Sequence, residues 1–208
     1  MVASQQEQLC LTVPLASDTM PDVGRWRVPL DYPTPALKSP IVSLRKWTYG
    51  DLDCVAEAST DPEIPRGTTV PAEYTEPAGR AWIERQWARQ STGQGVSLAV
   101  VEAATQRAGG LMYLGLRRPE GHCEIGYWLV PSARGRSLGT EAIMLASRWV
   151  LIHTDVYRLY AHVVPDNAPS LKALATCGFS REGILRSYLQ TGDDRSDVVS
   201  LSLLASDL

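Results

Sequence analysis

No apolar run in this sequence approaches the roughly 20 residues that a membrane span requires. The opening residues MVASQQEQLC also lack the basic-then-apolar order of a secretory signal. A cytoplasmic protein without a membrane partner is therefore expected. Positive charge is not in excess either: 20 Lys and Arg stand against 23 Asp and Glu, a formal net charge of -3. No global field draws the chain to nucleic acid, and any anion site must be local. Paired cysteine spacing is absent, since Cys10, Cys54, Cys123 and Cys177 lie far apart. That argues against a zinc site and a disulfide framework and leaves reduced, mostly buried thiols. His122, His153 and His162 have no ligand spacing, so no metal is expected. Internal repeats and low-complexity tracts are missing too.

What remains is 208 residues, enough for one catalytic domain of ordinary size with a substantial core. Residues 1–40 carry Pro14, Pro21, Pro29, Pro33, Pro35 and Pro40, which break any sustained periodicity. They read as an N-terminal arm whose apolar groups (LCLTVPL, Trp26, Leu30, Tyr32) pack onto a domain or a neighbouring subunit. From residue 41 the pattern is regular. IVSLRKW alternates as a half-buried strand, and GDLDCVAEAST follows with helical spacing. Thr75 is a plausible N-cap for EPAGRAWIERQWARQ, with Pro77 in the first turn and Trp82, Ile83, Gln86 and Trp87 on one stripe. Those tryptophans have two readings, core packing or the wall of an acceptor groove.

Three strands with short turns at TQRAGG and RPEG come next: VSLAVVEA, GGLMYLGLR and HCEIGYWLV. Such turns imply antiparallel pairing. Then come a helix from Thr140 to Ile152, the strand YRLYAHVV, the helix APSLKALATC, and two final strands around EGILRSYL and DVVSLSLL. Order and lengths give an α+β fold, a mixed sheet with helices on its faces.

The chemistry-bearing stretch is ARGRSLGTEA. A helix N-terminus preceded by glycines presents unpaired N–H groups and the positive end of the helix dipole, a local anion site. Gly135 and Gly139 permit close approach, and Arg134 and Arg136 add charge. Neither the dinucleotide fingerprint nor the Walker loop fits, because the glycine triplet and the Gly-Lys-Ser/Thr ending are absent. Alone, the loop reads equally as a glycine turn with solvated arginines.

Several further pieces fall in order around it: GYW, RGRSLGTEA, Asn167 with Ser170, GF at Gly178 and Phe179, EG at Glu182 and Gly183, and the closing LLASDL. Together, over residues 41–208, they resemble the GNAT superfamily of acyl-CoA-dependent N-acetyltransferases, closest to the branch that acetylates ribosomal-protein N-termini. The resemblance implies a mostly antiparallel sheet of about seven strands, splayed between the fourth and fifth, with acetyl-CoA as cosubstrate. The acceptor would be a small-molecule or peptide amine, attacking directly in a ternary complex. Apart from the resemblance, a homodimer is the expected assembly. The alternative is a catalytically weak acyl-CoA-binding or sensor protein of the same fold.

Carried onto this chain, the loop pattern falls on Arg134, Gly135, Arg136, Ser137, Leu138 and Gly139, with Thr140 opening the helix. It would wrap the coenzyme A pyrophosphate. Ser137 replaces the usual central glycine, and if φ is positive there the cost is on the order of 1 kcal/mol. Backbone groups at Trp128, Leu129 and Val130 would hold pantetheine and polarise the thioester. Glu124, Gly126, Trp128 and Val130 share one face of their strand, Cys123 and Tyr127 the other, so HCE contains no Cys-His dyad. Glu124 matches a carboxylate that takes the amine proton in many members, or is a surface strand residue. Asn167 would orient pantetheine or water and Ser170 would protonate the leaving thiolate, while either is also a natural helix cap. Tyr188 is a second candidate acid. Leu189 occupies the position seven residues after Glu182 where the ribosomal-protein branch keeps a carboxylate.

Overall fold

The computed structural model describes residues 30–191 and 194–208. Most of the proline-rich arm therefore lies outside the described residues. Its last part does not: Leu30 is buried, and Asp31 accepts a hydrogen bond from Gln90 at 2.7 Å.

Eight strands form one sheet: β1 (Leu37–Lys38), β2 (Val42–Lys46), β3 (Gly95–Glu102), β4 (Ala108–Arg117), β5 (His122–Leu129), β6 (Arg158–Val163), β7 (Ser180–Thr191) and β8 (Asp194–Leu204). Their order across the sheet is β1-β2-β3-β4-β5-β6-β8-β7. Seven coincide with the runs expected from alternation. The eighth, β1, pairs antiparallel with β2 and comes from the segment assigned to the arm. The helices are α1 (Leu52–Thr60), α2 (Glu63–Gly67), α3 (Glu76–Ser91), α4 (Leu138–His153) and α5 (Ala168–Thr176). Thr75 caps α3 by accepting from the Ala78 N–H at 3.2 Å.

The β5–β6 pair is the only parallel one among these strands, and it is short. Register runs from His122↔Arg158 through Cys123↔Leu159 to Glu124↔Tyr160 and stops, although both strands continue. Counted from β2, this parting falls between the fourth and fifth strands. The sheet therefore forks just beyond Glu124.

Side-chain alternation assigns the two faces. Trp128 packs on Trp47 and on Trp82 of α3, with Trp47 and Trp82 edge to face at 4.9 Å, so the tryptophans build core. Leu129, the next residue, points the other way and reaches Gly139 at the start of α4. The fork thus has an α3 side and an α4–α5 side.

Candidate active site

The loop between β5 and α4 is a tight turn at Pro131–Ala133 followed by two left-handed residues, Gly135 at φ 72° and Ser137 at φ 59°. Flanking Arg136, they bend the backbone sharply into the start of α4. No side chain caps α4, so its first N–H groups remain available to an anion. A Cβ on Gly139 would meet only the Leu129 side chain, at 3.4 Å. Space for close approach therefore exists above Leu138, Gly139 and Thr140.

The two loop arginines are committed within the protein. Arg134 donates from Nε to the Leu129 carbonyl at 2.9 Å and from Nη2 to buried Asp61 at 2.7 Å. Arg136 pairs with Glu102 and donates to the Ser132 carbonyl at 2.8 Å. Glu57 of α1 accepts from both the N–H and the hydroxyl of Ser132, each at 2.8 Å. The loop is thus fastened from behind by α1 and β3, and its arginines are spent on the protein itself. A cavity of about 460 Å³ lies behind it, lined by Glu57, Glu102, Ser132 and Arg136, with no contribution from β6. It is separate from the fork.

Within the fork, the Val130 N–H donates to the Gly109 carbonyl at 2.9 Å. Antiparallel bonding alternates, so the peptide groups of Trp128 also face β4, while those of Ile125, Tyr127 and Leu129 face β6. Of the backbone groups expected to hold pantetheine, only those of Leu129 face the gap. The next peptide groups to face it are those of Tyr127, a residue of the GYW motif that is not among the expected site residues.

On the α3 side, Glu124 is buried at the vertex of the fork and pairs with Arg117 Nη2 at 2.7 Å. Burial pushes its carboxyl above the usual carboxylate range, and Arg117 pulls it back. Arg117 is itself oriented by the Leu116 carbonyl at 3.0 Å and the Tyr113 hydroxyl at 3.4 Å. Gly115, opposite Glu124, makes room for this arrangement, because a Cβ there would strike the Tyr113 ring at 2.6 Å. Beyond Glu124, Tyr160, His162 and Tyr188 stand in ring contact at 5.1 and 4.7 Å. Burial raises the Tyr160 hydroxyl pKa, and the Glu124 charge adds to it. Tyr188 is exposed at the groove's edge, whereas Leu189 is buried.

On the α4–α5 side, Asn167 caps α5 by accepting from the Ser170 N–H at 3.1 Å. Ser170 is buried, and its Oγ lies 2.6 Å from the Tyr127 hydroxyl. Cys123 is fully buried, which pushes its thiol up and away from nucleophilic use. Among the described residues, no group of three or more His, Cys, Asp or Glu side chains is placed to hold a metal ion, and no helix is long and apolar enough to cross a membrane.

The sequence and the fold are both similar to those of known proteins. The acetyltransferase (GNAT) domain matches residues 42–180. The chain belongs to the GNAT acetyltransferase family. Acetyl-CoA-dependent acetyl transfer is general to that family. An uncharacterized N-acetyltransferase p20 of Bacillus licheniformis is 27% identical over 164 residues, covering 78% of this chain and 92% of that protein. The ribosomal protein uS5-alanine N-acetyltransferase of Escherichia coli is 31% identical over 85 residues, 41% of this chain and 44% of that enzyme. Among solved structures, Mycobacterium smegmatis RimJ in complex with CoA-disulfide superposes with a TM-score of 0.68 at 20% identity, covering 83% of this chain and 87% of that one.

Proposed function

We propose that the protein transfers an acetyl group from acetyl-CoA to a primary amine, by direct attack in a ternary complex formed across the fork. The observation that carries this reading is the coincidence, at one parting of the sheet, of an open backbone anion site on one flank and a buried carboxylate at the vertex. The pyrophosphate lies on the loop from Gly135 to Thr140, and pantetheine enters the gap beside Tyr127 and Leu129. Glu124 then faces the amine nitrogen as general base. Oriented peptide groups in the gap stabilise the developing oxyanion.

The acceptor is a peptide N-terminus or a small amine. Relatives that acetylate a ribosomal-protein alanine support the peptide choice. A cytoplasmic setting suits the buried, reduced thiols of Cys54 and Cys123. The edge strand β7 exposes Ile184, Leu185 and Tyr188, and this supports a homodimer that covers them. The alternative of a weakly catalytic acyl-CoA-binding protein draws on buried Leu189, which puts an apolar side chain where the related branch keeps a carboxylate.

Calorimetry with acetyl-CoA, followed by thiol release over a panel of alanine-ended peptides and small amines, separates these readings. Binding with turnover supports the transferase, and binding without turnover on any acceptor supports the sensor. Gly139→Trp should abolish binding, because its side chain would occupy the phosphate's approach. Unchanged affinity in that variant would remove the loop from the cofactor site.

A further inference from the structure

Ser170 alone is a poor acid for a departing thiolate, because an aliphatic hydroxyl is far less acidic than a thiol. A tyrosine phenol, with an ordinary pKa near 10, is much closer to a thiol's value of about 8.5. The structure joins the two groups. Tyr127 reaches from β5 across the α4–α5 side of the fork to the first turn of α5, where its hydroxyl lies 2.6 Å from Ser170 Oγ and 3.4 Å from the Ser170 carbonyl. Both residues are buried, and Ser170 is fixed from below because its N–H is held by Asn167.

We propose that Tyr127 is a positioning residue that sets and replenishes the Ser170 proton, so that the acid of the reaction is the pair. This rests on the reading of the fork as the acetyl-CoA site. A serine hydroxyl has one proton and two acceptor lone pairs. Either hydroxyl can donate across the 2.6 Å contact. In the proposed arrangement the Tyr127 O–H donates into one serine lone pair in preference to the Ser170 carbonyl at 3.4 Å, and the serine proton is then turned toward the sulfur. When the tetrahedral intermediate collapses, the carbon–sulfur bond breaks and its electron pair goes to sulfur. The Ser170 proton moves to that sulfur, and the Tyr127 proton moves to Ser170 Oγ. The phenolate left behind regains a proton from solvent, while the proton taken from the amine leaves through Glu124 to solvent. No redox partner or further reactant enters the balance. The face opposite Glu124 is thereby assigned to the leaving group, and each side of the fork handles one proton.

The product supplies a test that needs no acceptor. Free CoA bound to the protein is titrated by the ultraviolet absorbance of its thiolate. A pair that donates to sulfur stabilises the thiolate, so Tyr127→Phe and Ser170→Ala should each raise the titration midpoint of bound CoA by about one pH unit, the worth of a charge-assisted hydrogen bond. The double variant should shift no further than the larger single one, because the two act in series. Site-specific 3-fluorotyrosine at position 127 keeps the ring and hydroxyl while making the phenol more acidic, and should move the midpoint the other way.

A purely structural hydroxyl would lower the melting temperature and leave the midpoint unmoved. An unmoved midpoint in Tyr127→Phe and in the fluorotyrosine protein, or additive shifts in the double variant, overturns the pairing while leaving the cofactor site intact. Failure of the natural protein to bind CoA overturns both.

Discussion

Replacing Arg117 by Gln is the sharpest probe of the base assignment, because it alters the carboxylate's surroundings without touching the carboxylate. Glu124 is buried with 4% of its side chain exposed, and Arg117 contacts it at 2.7 Å. Burial holds its carboxyl above the ordinary range and the guanidinium lowers it. A cation at such a distance is generally worth about 1–3 pH units to a carboxyl. If ionised Glu124 takes the amine proton, the acidic limb of kcat/KM against pH should move up by about that amount in Arg117→Gln. One unit below its own midpoint, the variant would keep about a tenth of its plateau rate.

The assay is thiol release from acetyl-CoA with an alanine-ended peptide between pH 5 and pH 9. In Glu124→Gln the same limb should vanish and the plateau fall by about 10²-fold. Stability supplies a second sign. A carboxyl raised in the folded state contributes stability that is present below its unfolded pKa and is lost as pH rises through its folded pKa. Without Arg117 that loss deepens, since one partner of a buried pair has gone, at a cost of about 3–5 kcal/mol where the carboxylate stays charged. The melting temperature of Arg117→Gln should therefore fall relative to the natural protein as pH rises from acid to neutral. A limb that stays in place in Arg117→Gln, or persists in Glu124→Gln, would refute Glu124 as the base.

Three further outcomes are expected. Ser137→Gly removes a left-handed serine and should stabilise the chain by about 1 kcal/mol with coenzyme A affinity equal or better; a large loss of affinity in calorimetry would show that the serine hydroxyl contacts the cofactor. Asp61→Asn leaves the Arg134 guanidinium, with 12% of its side chain exposed, without its anion. It should lower stability by about 3 kcal/mol in denaturant titration and weaken coenzyme A binding, and unchanged binding would mean that the loop holds its shape without α1. Ile184→Arg places a charge on the exposed edge of β7 and should convert a dimer to a monomer in sedimentation, whereas the same mass before and after would count against that edge as the interface.

The elements of this fold were legible wherever periodicity is local. Alternation marked seven strands, and Thr75 announced α3. The two-residue β1 escaped because two residues carry no period, and its pairing is set by β2. The left-handed loop position was legible too, as a serine standing where glycine is usual. Even the Arg117–Glu124 pair was within reach. A four-residue turn at RPEG sets Arg117 opposite His122, which places Glu124 diagonally two residues on, a separation a long arginine side chain can span.

Tyr127 was not legible, and the reason is geometric. Its partner Ser170 is 43 residues away, beyond α4 and β6. Whether the two meet depends on where the parting of the sheet begins, and no local pattern encodes that. Had β5 and β6 stayed in register past Glu124 and Tyr160, no gap would open beside Tyr127. The peptide groups of Tyr127 face the parting, and the same residue's side chain reaches Ser170 at the start of α5. One irregularity in strand pairing therefore underlies both the gap proposed for pantetheine and the setting of the Tyr127–Ser170 contact proposed to act on its sulfur. Site residues that depend on strand divergence stay hidden in the sequence until the register, including the point where it stops, is known.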